Sequence, residues 1–274
     1  MLLTLETVQN TANGLLDKLL YNLRKPRADA YLTFAENSTY MKISCEVHKK
    51  GINWRRVESF ARERDLLLSE NDIEIPTDVN LNRFTPKQLP KRLMFNLADS
   101  ILSKLSVSRG NIRLGISDSG ERLKEFLPKV LPMASEIRIL MNDTSFADEE
   151  AERLVRSCGV PLIVSRESGV LHNCNLVVAT DDTAELDPRS RIDLLLSDRV
   201  HDCGVLNVAA PEIYLPAVLN SAFSRKYDRV EVASAFYEVA DMQSLGGIVP
   251  WAGKNSDGVI PAESMTSYLN ECCI

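Results

Sequence analysis

Four groups of residues in this chain have types and spacings that could do chemistry. The first is Gly115-Ile116-Ser117-Asp118-Ser119-Gly120, which overlaps a short apolar run (Ile112, Leu114, Ile116) and leads into a helical pattern from Glu121. Glycines in a strand-to-helix turn let backbone N–H groups come close to a phosphate, which the helix N-terminus also favours. Asp143 stands 23 residues after Gly120, and a carboxylate there could accept hydrogen bonds from a ligand. Both features also have plainer explanations. Asp118 and Ser119 can cap the helix that follows, and Asn142-Asp143-Thr144 is ordinary turn chemistry.

The second group is a pair of H-x-C motifs, His172/Cys174 and His201/Cys203. On neighbouring strands they could present two imidazoles and two thiolates to a tetrahedral zinc ion. Each also reads as a turn residue followed by a core cysteine ahead of a strand, and that reading is preferred, so no metal is expected. His201-Asp202-Cys203 makes a poor nucleophile and base, because adjacent side chains rarely reach the required geometry. The third group is basic: Lys49, Lys50, Arg55, Arg56, Arg62 and Arg64 around Trp54. It could hold an anion, but Glu58, Glu63 and Asp65 lie among these residues and suggest a solvated helix surface. The last is Cys272-Cys273-Ile274, which is not a prenylation box because Glu271 occupies the fourth position from the end.

These residues must be positioned by elements whose pattern changes near Gly110. Before it, Leu5 to Leu23 has helical spacing and Tyr31 to Val47 alternates as a hairpin, with Leu32 and Phe34 on its covered face. Trp54 to Arg64 suggests a short helix. Thr85-Pro86-Lys87-Gln88 has the form of a capping box ahead of the stripe Leu89, Leu93, Leu97 and Ile101. After Gly110, short apolar runs at 112–116, 137–141, 161–164, 176–179, 192–196 and 205–208 alternate with helical patterns at 121–134 and 148–158, the second closed by Gly159. Such alternation implies parallel βαβ units. Further on, the pattern suggests helices over 214–223, 233–242 and 263–272, a strand near Val230, and a long loop from Pro250 to Pro261.

The strand, turn and helix around Gly115 and Gly120 resemble the G-x-G-x-x-G fingerprint of the Rossmann-type NAD(P)-binding superfamily, over roughly residues 110 to 200. Ser117 takes the place of the second glycine, where a side chain crowds a pyrophosphate, and Asp118 adds negative charge, so the fingerprint is degenerate. The resemblance implies an α/β fold with a Rossmann-like parallel sheet flanked by helices. It implies NAD(P) or another nucleotide as ligand, held by Gly115, Ser117, Asp118, Ser119, Gly120 and Asp143. No particular reaction follows from it.

The chain has 274 residues and a net charge of -6. Residues 1–109 hold 17 basic and 13 acidic side chains, and residues 110–274 hold 15 and 25. This asymmetry places the expected boundary between a smaller α+β domain (1–109) and the Rossmann-like domain (110–274). The acidic balance argues against a nucleic-acid partner. No apolar run is long enough to span a membrane, Glu6 interrupts any leader, and the six scattered cysteines form no CxxC. The expectation is a cytoplasmic protein with reduced thiols. Three functions fit: binding of a small molecule or nucleotide without catalysis, an NAD(P)-dependent oxidoreductase, or a structural protein, for instance a homodimer joined through its N-terminal part.

Overall fold

The computed structural model describes residues 1–8, 25–35, 38–48, 51–118, 122–142, 159–181, 185–199, 201 and 206–273. Lys49, Lys50, Ser119, Gly120, Asp143, Asp202 and Cys203 lie outside them, as do the helix expected at 148–158 and most of the one expected from Leu5 to Leu23. In chain order the elements are β1 (Leu2–Val8), β2 (Ala28–Ala35), β3 (Ser38–Glu46), α1 (Trp54–Glu58), β4 (Leu66–Ser69), β5 (Asn82–Arg83), α2 (Leu89–Leu102), β6 (Arg113–Ser117), α3 (Leu123–Val130), β7 (Glu136–Leu140), β8 (Leu162–Ser165), β9 (Leu176–Ala179), β10 (Leu194–Ser197), β11 (Leu206–Val208), β12 (Ala210–Glu212), α4 (Ala217–Ala222), α5 (Arg229–Glu238), β13 (Ala252–Asn255), β14 (Gly258–Pro261) and α6 (Ala262–Cys272). No described helix is long and apolar enough to cross a membrane.

Contacts divide the chain into two compact units, Met1–Leu89 with Leu215–Leu245, and Pro90–Tyr214 with Gly246–Ile274. This division differs from the boundary expected at 109/110. The reason is packing: Met94, Phe95, Leu97, Ala98, Ile101 and Leu102 of α2 lie in the same apolar core as Leu114 and Ile116 of β6.

The first unit is built on a five-stranded sheet in the order β2-β3-β1-β4-β5. β1 runs parallel to both β3 and β4. The start of the expected N-terminal helix is thus a central strand. Leu2, Leu3, Thr4 and Leu5 are all buried, and a strand covered on both faces shows a continuous apolar run instead of alternation. The hairpin of β2 and β3 forms as expected, and Ile43 and Cys45 are buried. Leu32 and Phe34 are not on a covered face, being 58% and 73% exposed on an edge strand. The expected helix from Trp54 stops at Glu58, and Val230 lies in α5, not in a strand. Asp228 caps α5 by accepting from the N–H groups of Val230 and Glu231 at 2.8 and 2.9 Å.

The stripe Leu89, Leu93, Leu97 and Ile101 is fully buried on α2. The cap is not the local box that the sequence suggests. The Glu238 carboxylate of α5 accepts from the backbone N–H groups of Lys87, Gln88 and Leu89 at 3.1, 2.8 and 3.0 Å. A carboxylate is a stronger acceptor than a hydroxyl at this positive helix end.

The second unit contains a six-stranded sheet in the order β11-β10-β9-β6-β7-β8. Every pairing in it is parallel. Counted along the unit this is the order 3-2-1-4-5-6, the Rossmann arrangement, with its reversal point between β6 and β9. Leu114, Ile116, Leu176, Val178, Leu194 and Leu196 face one core. Val177, Ala179 and Leu195 face another on the opposite side. Burial on both sides explains the unbroken apolar runs of these strands. The loop expected at 250–261 holds the antiparallel pair β13 and β14.

Candidate functional site

In a doubly wound sheet a ligand sits beyond the carboxyl ends of the strands, beside the reversal point. The parallel register lines up Ser117, Leu140, Ser165, Ala179 and Ser197 along that edge. Four of the strands run out into a polar residue followed by aspartate: Ser117-Asp118, Asn142-Asp143, Thr180-Asp181 and Ser197-Asp198. This repeat is visible in the sequence and goes beyond the glycine spacing.

At the reversal point itself the protein closes on itself. The backbone N–H groups of Thr180 and Asp181 both donate to the Ser117 carbonyl, at 2.8 and 3.1 Å. Ser117 and Asp118 are fully buried. Asp118 Oδ2 accepts from Thr180 Oγ1 at 2.6 Å and from Arg122 Nε and Nη2 at 3.0 and 2.6 Å. The Asp118 carboxylate thus ties the start of the β6–α3 connection to the end of β9. Ser117 Oγ is buried without a hydrogen-bond partner among the described residues.

Gly115 also has a different place from the one its spacing suggests. It lies inside β6, paired with Arg138 and Val177, and not in a turn. A Cβ there would meet Val177 Cγ2 at 2.8 Å, Leu171 Cδ2 at 3.0 Å and Cys174 Sγ at 3.2 Å. The glycine makes room for the short 3-10 turn Ser168–Leu171 to pack against the sheet.

Open space lies beside this closed point. A cleft of about 270 Å³ is lined by Leu140, Met141, Asn142, Arg166, Ser168, Asp181 and Glu185. It collects residues that follow β7, β8 and β9 at the carboxyl edge. Arg166 is exposed, with no ion-pair partner among the described residues, and two carboxylates share the lining with it. Glycine spacing could not have found Arg166, Asp181 or Glu185, since their convergence depends on strand order.

The histidines of the two H-x-C motifs, His172 and His201, are separated by the same topology. His172 and Cys174 precede β9 at the amino edge. His201 follows β10, and its Nε2 lies 2.9 Å from Ser197 Oγ at the carboxyl edge. His201 still precedes β11 as expected, but the two imidazoles lie at opposite edges of the sheet. Burial pushes the Cys174 thiol up to about 12, so it stays protonated and is a poor metal ligand. No group of three metal-ligating side chains occurs among the described residues. Of the basic cluster, Arg56 stacks over the Phe60 ring at 4.6 Å.

Burial, aided by the nearby Arg199 charge, holds the His201 imidazole below its ordinary value of 6.5. The unfolded chain then binds the proton first as pH falls, so stability at neutral pH is lost as pH drops below 6.5 toward the folded value. We expect His201→Gln to flatten the pH dependence of unfolding in that window. Identical slopes for the two proteins, measured by urea titration at several pH values, would refute this assignment.

No family model matches this sequence, and no curated protein matches it. Among solved structures, the chain is similar to a probable ornithine cyclodeaminase from Bordetella pertussis Tohama I, with 18% identity and a TM-score of 0.27 over 37% of this chain and 35% of that one. It is similar to the Δ(1)-pyrroline-2-carboxylate reductase of Thermococcus litoralis, solved with NADH and L-proline, with 11% identity and a TM-score of 0.29 over 38% and 35%. The L-tryptophan dehydrogenase of Nostoc punctiforme matches over 85% of this chain and 76% of that one, with 12% identity and a TM-score of 0.31. The matched region spans about a third of the length of the first two. Likenesses this slight transfer no activity, and the fold assignment stands on the strand order of the chain itself.

Proposed function

We propose that the second unit binds a nucleotide whose ribose carries a free 2′-hydroxyl, an NAD-class ligand, at the carboxyl edge of its sheet. The observation that carries this reading is the 3-2-1-4-5-6 strand order with an open polar cleft beside its reversal point. Among the described residues, the charged lining is acidic apart from Arg166. Carboxylates accept hydrogen bonds from a ribose diol and repel a 2′-phosphate, so the chemistry favours NAD over NADP. Asp143 follows directly on Asn142 and is the proposed ribose acceptor. Ser119 and Gly120, next after the buried Asp118, are the proposed phosphate-facing backbone. Gly115, Ser117 and Asp118 support that connection from beneath. The proposal is one of binding, with no residue assigned to a reaction.

The test is thermal unfolding and calorimetric titration with NAD, NADH, NADP and NADPH. A ligand at a hundredfold excess over its dissociation constant adds about 2.7 kcal/mol of apparent stability. We expect NAD or NADH to raise the melting temperature and NADP or NADPH to bind about tenfold more weakly, a difference of about 1.4 kcal/mol. Asp143→Ala should remove that preference. If no nucleotide raises the melting temperature, or the phosphorylated forms bind more tightly, the proposal fails.

A further inference from the structure

The first unit has a cavity of about 640 Å³ lined by Thr7, Val47, Gly51, Ile52, Trp54, Asp72, Ile73, Glu74 and Lys226. It lies beyond the carboxyl ends of β1, β3 and β4, and its size falls in the range of small-molecule sites. We propose that it binds an α-amino acid with an apolar or aromatic side chain.

The starting point is Glu70, a carboxylate just past β4 that is 1% exposed. A buried charge persists only when it is paired and hydrogen-bonded. Glu70 accepts from the Thr7 hydroxyl, from the Thr7 N–H at 3.4 Å and from Lys226 Nζ at 3.4 Å. Lys226 Nζ also donates to Thr7 Oγ1 at 3.1 Å. Two of the three ammonium protons are thus committed, and the third has no partner among the described residues. The side chain stays 43% exposed on the cavity wall. A fixed ammonium with a donor to spare suits a ligand carboxylate.

Asp72 and Glu74 share the lining and suit a ligand ammonium. They also disfavour a plain anion such as a phosphate. Lys226 in turn disfavours a plain amine. Trp54, Ile52, Ile73 and Val47 supply the apolar wall on which a side chain is buried. A molecule with both charges and an apolar body satisfies all three parts of the lining. The purely structural alternative is that Lys226 merely ties its segment to β4. That tie survives without the ammonium, because Asn71 N–H donates to the Lys226 carbonyl at 3.0 Å and the Tyr227 hydroxyl donates to the Leu5 carbonyl.

The chain has two tryptophans, Trp54 and Trp251. In the full-length Trp251→Phe protein, Trp54 alone reports on this cavity. We would titrate that protein with L-phenylalanine, L-leucine, phenethylamine, 3-phenylpropionate and inorganic phosphate. The expected result is a saturable Trp54 emission change with the amino acids, and binding about tenfold weaker for each singly charged analogue. Lys226→Met should reduce phenylalanine to the affinity of phenethylamine. Asp72→Asn with Glu74→Gln, at exposed positions where folding is not at risk, should reduce it to that of phenylpropionate. Equal binding of phenylpropionate, phenethylamine or phosphate, or no change with any probe up to millimolar concentration, would overturn the proposal. A parallel NAD titration should be unaffected by these variants, which keeps failure here distinct from failure of the nucleotide reading.

Discussion

Replacing Gly115 with valine is expected to cost the fold about 3 kcal/mol, the upper end of the usual overpacking penalty. The first added carbon would lie 2.8 Å from Val177 Cγ2 and 3.0 Å from Leu171 Cδ2. Both residues are fully buried, so neither has open space to move into. An opposing effect exists, since any side chain restricts the unfolded backbone and returns about 0.4–1 kcal/mol. The clash outweighs it. Gly115→Ala should therefore also destabilise, by about 1–2 kcal/mol on the same overpacking scale. Nucleotide affinity of the folded fraction should stay unchanged, because Gly115 lies within the sheet. The check is urea unfolding of both variants with an unchanged slope, followed by titration under native conditions. A stable Gly115→Ala protein that has lost its ligand would show that the glycine serves the ligand and not the packing.

Arg122→Met is expected to cost about 3 kcal/mol, the low end for breaking a buried ion pair. Asp118 is fully buried, and Arg122 donates to it twice, at 2.6 and 3.0 Å. Methionine keeps much of the stem and removes the cation. The carboxylate keeps the Thr180 hydroxyl but loses the charge that offsets its desolvation. The low end applies because the Arg122 side chain is 22% exposed, so water screens part of the attraction. The double variant with Asp118→Asn should recover much of the loss, since a neutral amide needs no counter-charge. A loss below about 1 kcal/mol in Arg122→Met, the size of a surface pair, would mean that solvent reaches the pair.

Both predictions concern the connection that glycine spacing singles out for a ligand, and the structure gives Gly115 and Asp118 work inside the fold. The apolar runs 112–116 and 176–179 mark strands, and their alternation with helices implies parallel pairing. The sheet edge that carries the candidate site is therefore legible in the sequence. The packing role of Gly115 is not, because it depends on Val177, Leu171 and Cys174, which sequence spacing cannot place. The same holds for His172 and His201. The two imidazoles look like parts of one site until strand direction puts them on opposite edges.

The local pattern of this chain is sufficient to define an α/β fold, the buried stripe of α2 and the strands around the reversal point, since side-chain periodicity is set by which face meets water. Where both faces are buried, as in β6 and β9, only the alternation of apolar runs with helical patterns marks the strands, and the first unit lacks that alternation. Leu5 and Val8 at the end of β1 fit a helical spacing although Leu2, Leu3 and Leu5 are buried alike in a strand, and the pattern gives no sign of β4. Folding alone brings Glu238 to the N-terminus of α2, about 150 residues away in sequence, Lys226 to Glu70, and Arg166 to the cleft it shares with Asp181. Charges and hydrogen-bond donors find partners by distance in space, and the order of residues along a chain carries that distance only over a few turns.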